Sequence, residues 1–177
     1  VLEKIADEIP HLIGGSADLA SSTKTNLNKY SIITSENYNG RNIAFGVREH
    51  AMGAILNGLA LTGFRTFGST FLSFSDYLKP SMRMSSLMNL PVTYIFTHDS
   101  INVGSDGPTH EPVEHEIQIR LMEHVRNHSG QRSMLVLRPA DSEETVAAWK
   151  MALEEKRPVA LILSRQNIKS LPALNGA

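Results

Sequence analysis

The sequence predicts an α/β fold in one domain, with three layers: a mostly parallel six-stranded sheet flanked by helices. First, short runs rich in β-branched residues alternate with longer stretches of helical character, which is typical of βα units. Second, several of the short runs are almost continuously apolar, as in strands that helices cover on both faces. Third, a length of 177 residues suits one domain with a substantial core.

Each predicted strand is a short apolar segment, and most of them precede a helical one. The predicted strands cover 11–15, 42–47, 64–68, 91–98, 133–139 and 158–164. The predicted helices cover 48–62, 71–89, 112–128 and 142–156, and the opening VLEKIADEI also looks helical. This alternation is what a parallel sheet with helical crossovers requires.

Local signals support two of these helices. Asp141 followed by Glu144 resembles a capping box at the start of the last helix. Pro112 fits the first turn of the preceding helix. Apolar residues recur there at every fourth position and give that helix one apolar face: Val113, Ile117, Leu121 and Val125.

Composition and charge argue against several classes of function. The formal net charge of −1 gives no overall field that attracts nucleic acid or a membrane surface, and we expect neither partner. No apolar run approaches the roughly 20 residues of a membrane span. Cysteine is absent, which removes thiol catalysis and favours a cytoplasmic location. The fingerprints of serine hydrolases, P-loop NTPases and Rossmann dehydrogenases are missing as well.

Unusual polar and aromatic residues follow the predicted strands where each strand ends. In open parallel sheets, ligands bind beyond the carboxyl ends of the strands, so these residues are expected at one edge. In chain order they are Ser16, Asp18, Ser22, Glu49, His50, Phe71, Phe74, Tyr77, the segment from His98 to His110, and Arg165. This convergence is the strongest functional signal in the pattern.

Several of these residues have two interpretations. A carboxylate at Glu49 suits the first turn of any helix, but its apolar flanks indicate partial burial and a dedicated partner. Phe71, Phe74 and Tyr77 are spaced to share one helical face, either as core or as a wall against a flat heterocycle. Arg165 fits either a surface ion pair or the binding of a phosphate or carboxylate.

A metal site in this sequence has little support. His98, Asp99, Asp106 and His110 are possible ligands within a short segment, but their spacing matches no metal motif. His124 and His128 are also four residues apart and could chelate a metal, but a solvated helix face is the favoured interpretation of that pair. We therefore predict no metal ligands in this chain.

Six ordered segments resemble the middle domain of transketolase: GGSADLASS, GVREHAMGAILNGLAL, GSTFLSFSDY, THDSINVGSDGPTHEPVE, LRPAD and ALILSRQN. The resemblance covers nearly the whole chain, so 1–177 is expected to be one pyrimidine-binding domain with the thiamine diphosphate-binding fold. It implies thiamine diphosphate as cofactor, bound between domains of different subunits in a homodimer. It also implies that the Mg²⁺ or Ca²⁺ ligands lie in a separate N-terminal domain, contributed by the partner subunit.

The resemblance assigns the cofactor contacts residue by residue. Glu49 matches the glutamate that hydrogen-bonds a pyrimidine ring nitrogen and favours the imino tautomer of the cofactor. Phe71, Phe74 and Tyr77 match the aromatic pocket for the pyrimidine, with Phe74 as the expected stacking partner. Asp18 and Leu19 resemble residues near the thiazolium.

The resemblance also assigns the substrate contacts. Ser22, His98 and Arg165 match groups that hold a sugar phosphate, and Asp106 matches an aspartate that binds a substrate hydroxyl. His110 matches a histidine near the donor carbonyl that assists proton transfer. Glu49, His98 and His110 are thus the implied catalytic residues.

The implied activity is transfer of a two-carbon ketol unit from a ketose phosphate, such as xylulose 5-phosphate, to an aldose phosphate in the pentose phosphate pathway. Since the diphosphate-binding half lies elsewhere, we expect little or no activity from this chain alone. The alternatives are dihydroxyacetone synthase, deoxyxylulose-phosphate synthase, or a non-catalytic association module of the same fold. Two departures from the family pattern are Ser105, where glutamate is common, and a longer segment over 115–136.

Overall fold

A computed structural model describes residues 1–170 of the chain as a single parallel sheet between layers of helices. The strands are β1 Leu12–Ser16, β2 Asn42–Ala44, β3 Arg65–Phe71, β4 Val92–Thr97, β5 Leu135–Leu137 and β6 Val159–Ile162. Their order across the sheet is β2-β1-β3-β4-β6-β5, and every neighbouring pair is parallel. The predicted fold class is confirmed, and the sheet is wholly rather than mostly parallel.

The helices connect these strands across both faces of the sheet. They are α1 Leu2–Glu8, α2 Ala20–Thr23, α3 Glu49–Leu61, α4 Ser75–Met88, α5 His115–His124 and α6 Ser142–Glu154. Single 3-10 turns cover Leu72–Phe74 and Gly104–Asp106. The predicted domain extends to 177, and its last residues, 171–177, lie outside the described part of the chain.

The predicted capping box at the start of α6 is confirmed. The Asp141 carboxylate accepts a hydrogen bond from the Glu144 N–H at 2.9 Å. The Glu144 carboxylate in turn accepts from the Ala140 N–H at 2.7 Å. Two backbone donors at the helix terminus are therefore satisfied.

Two hydrophobic cores lie on opposite faces of the sheet, as the three-layer prediction requires. Tyr94 and Phe96 of β4 face α3, α4 and α5, whereas Ile95 between them packs with α1 and α6. This alternation is the period of two that strand side chains follow. Because both faces are covered, every residue of β4 is buried.

Among the boundary predictions that are wrong, two concern where a helix begins. The helix predicted to begin at 71 begins at Ser75, because Phe71 still pairs with Thr97 as the last residue of β3. The helix predicted to begin at 112 begins at His115, so Pro112 precedes it instead of lying in its first turn. The first error arises because residue type and spacing do not reveal where strand pairing ends.

The apolar stripe predicted for α5 does not pack against the sheet. The helix buries His115, Ile119 and Glu123, a set two positions out of step with the stripe and so about 200° around the helix. The stripe itself is exposed: Val113 by 80%, Ile117 by 65%, Leu121 by 62% and Val125 by 58%. The protein surface thus carries an apolar band along α5.

A search of the helices within residues 1–170 finds none with the length and apolar character needed to cross a bilayer.

Candidate functional site

The carboxyl edge of the sheet brings many of the predicted site residues close together. Phe71 ends β3, His98 directly follows β4, and Arg165 lies shortly after β6. Asp106 and His110 belong to the long segment after β4. These side chains meet because β3, β4 and β6 are neighbours in the sheet and run in the same direction.

Two phenylalanines and two histidines form a packed group at this edge. The ring centroids of Phe71 and His98 lie 3.7 Å apart in a stacked arrangement, and Phe71 also stacks on Phe74 at 5.9 Å. His110 forms T-shaped contacts with both phenylalanines, with ring centroids 5.9 Å from Phe71 and 5.2 Å from Phe74. These contacts place both predicted catalytic histidines against the same aromatic surface.

The spacing of the three aromatic residues predicts one shared helical face, but the structure does not place Phe71, Phe74 and Tyr77 on a single helix. Phe71 is in β3, Phe74 is in the 3-10 turn, and Tyr77 is in the first turn of α4. They still form a continuous row of rings, since Phe74 and Tyr77 lie 6.3 Å apart. Phe71 is buried at one end of the row and Tyr77 is exposed at the other.

Asp106 brings a carboxylate to this group. Its Oδ2 lies 3.4 Å from Arg165 Nε and 4.0 Å from His98 Nε2. Neither contact has the geometry of a hydrogen bond, so this buried oxygen has no hydrogen-bond partner within residues 1–170. A buried oxygen that accepts no hydrogen bond from the protein is available to accept one from a ligand.

Burial lowers the pKa of His98, because the neutral imidazole needs less hydration than the imidazolium. The nearby Asp106 carboxylate opposes this effect, and the Arg165 guanidinium adds to it. His98 therefore lies in the site as a predominantly neutral imidazole at neutral pH. The Thr97 hydroxyl lies 2.9 Å from its Nδ1.

Glu49 lies at the junction between β2 and α3, as the first residue of the helix. Gly46 has a φ of +67° there, which suits the turn of the chain from strand into helix. Glu49 is buried, and the hydroxyl of the fully buried Thr70 donates to its Oε1 at 3.4 Å. The carboxylate is thus both at a favourable helix position and held by a specific partner.

The Glu49 carboxylate and the exposed end of the aromatic row line the same cavity. Its volume is about 510 Å³, and its lining is formed by Val47, Arg48, Glu49, His50, Phe74 and Tyr77. Phe71 is not part of this lining, because it lies behind Phe74 against His98. The cavity therefore combines a buried hydrogen-bond acceptor with an aromatic wall, which suits a flat heterocycle.

Asp18, Leu19 and Ser22 occupy the segment after β1, at the same edge of the sheet. Asp18 has a left-handed backbone with a φ of +63°, and Ser22 is exposed in α2. Within the described residues, no hydrogen bond or ion pair joins these three to Asp106 or Arg165. The structure thus places them on the predicted edge but not in the aromatic and histidine group.

A buried hydroxyl network that the sequence analysis missed holds this segment. Thr23 Oγ1 lies 2.8 Å from Thr25 Oγ1, and both lie within hydrogen-bond distance of Ser69 Oγ in β3. Thr70, the donor to Glu49, was missed as well. Ser69 and Thr70 belong to the sequence GST that directly precedes Phe71. Small hydroxyl side chains within an otherwise apolar strand are the sequence feature that could have identified them.

The four candidate metal ligands after β4 do not converge on one point. Asp99 is buried and paired with Arg138 at 2.9 Å instead of with His98, Asp106 or His110. Of the described residues, one other group has the spacing to hold a cation: Asp76, Glu114 and His115. The sequence analysis did not identify this group.

Hydrogen bonds account for the group around His115. Its Nδ1 accepts from the Val113 N–H at 3.3 Å, so its Nε2 carries the hydrogen and donates to Asp76 Oδ2 at 3.2 Å. The other oxygen of Asp76 is bound by the Lys79 ammonium. A cation there would have to displace two established contacts.

Comparisons with known proteins agree on one family. Residues 1–170 match the family model described as "Transketolase, pyrimidine binding domain". The transketolase of Halalkalibacterium halodurans is 54% identical over 99% of this chain and 25% of its own length. The chain therefore spans about a quarter of the length of such curated relatives.

Solved structures show the same relationship. The transketolase of Campylobacter jejuni has a TM-score of 0.86 and 44% identity, covering 97% of this chain and 25% of its own. A Pichia stipitis transketolase in complex with sedoheptulose 7-phosphate has a TM-score of 0.87 and 43% identity, with the same coverage. A split-gene transketolase, described as an inactive tetramer of beta subunits, has a TM-score of 0.71 and 26% identity, covering 98% of this chain and 52% of its own.

Proposed function

Because the chain belongs to the transketolase pyrimidine-binding domain family, we propose that it forms the pyrimidine-binding half of a thiamine diphosphate site. In the assembled enzyme this site transfers a two-carbon ketol unit from a ketose phosphate, such as xylulose 5-phosphate, to an aldose phosphate in the pentose phosphate pathway. The observation that carries the proposal is the buried Glu49 carboxylate, which lines one cavity together with Phe74 and Tyr77.

The residues of this cavity fit the aminopyrimidine ring. Thr70 holds Oε1 of Glu49, and Oε2 makes no hydrogen bond to the described residues, so it remains available to a ring nitrogen. Phe74 offers a face for stacking, and Asp18 and Leu19 would lie near the thiazolium. When bound, the cofactor supplies a carbon nucleophile and an electron sink. Glu49 contributes by orienting the ring and holding a proton at its nitrogen.

The sugar phosphate would lie near the Phe71 end of the aromatic row, away from the cavity lined by Glu49. Arg165 offers a guanidinium to the phosphate, with Ser22 and His98 as further contacts. Asp106 Oδ2, which accepts no hydrogen bond from the described residues, suits a substrate hydroxyl. His110, which packs against Phe74 in a T-shaped contact, would move protons at the donor carbonyl.

The diphosphate and its Mg²⁺ or Ca²⁺ ion would be held by the N-terminal domain of a partner subunit in a homodimer. The exposed apolar band along α5 supports association, since contiguous apolar surface of this kind commonly marks an interface. Because the diphosphate would be held by another domain, residues 1–177, taken as one domain, would have little or no activity alone. The split-gene relative, described as inactive, is consistent with this expectation. A cytoplasmic location and the absence of metal ligands in this chain remain predictions.

A hybrid enzyme tests the proposal: Halalkalibacterium halodurans transketolase in which the matched segment is replaced by this chain. We expect ketol transfer from xylulose 5-phosphate to ribose 5-phosphate by the hybrid and not by this chain alone. Transfer to formaldehyde in preference to ribose 5-phosphate would favour dihydroxyacetone synthase, and condensation of pyruvate with glyceraldehyde 3-phosphate would favour deoxyxylulose-phosphate synthase. A folded, dimeric hybrid without any of these activities would favour an association module.

A further inference from the structure

We propose that Arg138 is a positioning residue whose guanidinium joins both ends of the segment that carries Asp106 and His110. This inference rests on the proposed function, because it concerns how those two side chains are held for a sugar phosphate. Arg138 belongs to the LRPAD motif and immediately follows β5, which is the edge strand of the sheet. Within residues 1–170 it forms no hydrogen bond or ion pair with the aromatic and histidine group.

The first end of the segment is Asp99, the residue after His98. Its carboxylate is buried, and Arg138 Nη2 donates to its Oδ2 at 2.9 Å. The other oxygen accepts from the Ile101 N–H at 3.2 Å and so fixes the first turn of the segment. A buried carboxylate without its cation would be strongly disfavoured, so this contact holds the residue at which the segment begins.

The second end of the segment is Glu116, in the first turn of α5. Arg138 Nη1 donates to Glu116 Oε2 at 2.7 Å, at the same time as Nη2 binds Asp99. The hydrogen bond to Asp99, followed by the nearby charge of Glu116, raises the pKa of Arg138. One planar guanidinium thus bridges two carboxylates that bracket the segment, which a single ammonium group could not reproduce.

The segment between these ends depends on such contacts because it has little regular structure. Its one element is the 3-10 turn Gly104–Asp106, and Asn102 has a left-handed backbone with a φ of +50°. Val103 is buried, and Gln166 Nε2 donates to the Asn102 carbonyl at 2.8 Å. These contacts fix the middle of the segment, whereas Arg138 fixes its ends.

The test compares Arg138→Ala and Arg138→Lys with the control Arg120→Ala in the hybrid enzyme. Arg120 forms an ion pair with the same Glu116, at 3.0 Å, but no hydrogen bond or ion pair within the described residues joins it to Asp99. We expect Arg138→Ala to raise KM for xylulose 5-phosphate by roughly tenfold, with KM for thiamine diphosphate unchanged. Arg138→Lys should recover part of the loss, and Arg120→Ala should behave as the parent.

A purely structural role would give a different result. Arg138→Ala would then lower the melting temperature and the amount of active enzyme, while KM for xylulose 5-phosphate stayed at the parent value. That outcome would overturn the proposal.

Amide hydrogen exchange in the 177-residue chain separates failure of this inference from failure of the proposed function. If the parent hybrid is inactive, exchange over 100–111 still decides the matter. Faster exchange there in Arg138→Ala, but not in Arg120→Ala, supports the positioning role. Equal exchange in all variants contradicts it.

Discussion

The two sides of the candidate site are held in different ways. On the cofactor side, Glu49 is the first residue of α3, and Phe74 follows β3 after only two residues, so regular secondary structure fixes both. On the sugar side, Asp106 and His110 lie in a long irregular segment that ion pairs and a few hydrogen bonds hold in place. The cofactor side should therefore be sensitive to core packing, and the sugar side to charge.

The largest expected effect concerns the core under the cofactor side. Leu56 follows Glu49 in α3 and is fully buried. Leu56→Ala should lower the free energy of unfolding by about 2–5 kcal/mol. Leu61→Ala, on an exposed position of the same helix, should change it by less than about 0.5 kcal/mol. Urea unfolding of the isolated chain measures both variants. Similar losses in the two would mean that α3 is not held by its buried face.

The next effect concerns the sugar side. Asp106→Ala removes an acceptor that has no hydrogen bond from the described residues, and it should raise KM for xylulose 5-phosphate in the hybrid by roughly 10- to 100-fold. KM for thiamine diphosphate should stay near the parent value, since Asp106 does not line the Glu49 cavity. The exposed Glu143→Gln on α6 is the matched control. An equal rise in both constants for Asp106→Ala would abolish the distinction between the two sides.

A smaller effect is expected for the residue that holds Glu49. Thr70→Val keeps the side-chain shape but removes the hydroxyl that donates to Oε1. A buried hydrogen bond of this kind contributes about 0.5–1.5 kcal/mol, so KM for thiamine diphosphate should rise by roughly 2- to 10-fold in the hybrid. Thr66→Val, in the same strand, is the control, because its hydroxyl contacts the Leu56 carbonyl instead. If the control raised this KM as much as Thr70→Val, the effect would not run through Glu49.

The smallest effect concerns pH. Because burial lowers the pKa of His98 in the folded chain, the unfolded chain binds its proton more readily, with an ordinary pKa of 6.5. The stability that neutral His98 contributes is complete above pH 6.5 and is lost as the pH falls through the lower folded-state value. His98→Phe keeps a ring against Phe71 but cannot titrate, so it should lose less stability over this range. Parallel pH profiles of the melting temperature for the parent and the variant would contradict the inference.

The sequence was sufficient to predict the sheet, its covered faces and the edge at which the candidate site residues lie. Those features follow from apolar runs and from the direction that parallel strands share. It was not sufficient for Phe71, whose spacing to Phe74 suits a helix but whose backbone pairs with β4. Local spacing cannot show how far a strand extends, since that depends on its neighbour.

The stripe on α5 and the Arg138 contacts show a second limit. Ile117 and Leu121 repeat like core residues, yet they are exposed, because the rest of the fold determines which face of a helix is covered. Arg138 and Asp99 meet only because β5, β6 and β4 are adjacent in the sheet. Strand order of that kind cannot be read from one sequence.

The role of Glu49 is the central claim, and the kcat of Glu49→Gln in the hybrid enzyme tests it most directly. The exposed Glu154→Gln on α6 serves as the control. Glutamine keeps the size of the side chain but cannot hold a proton for the ring nitrogen, so kcat should fall by about 100-fold or more, while the control matches the parent. If Glu49→Gln folds, binds thiamine diphosphate and turns over as fast as the parent, the assignment of Glu49 is wrong.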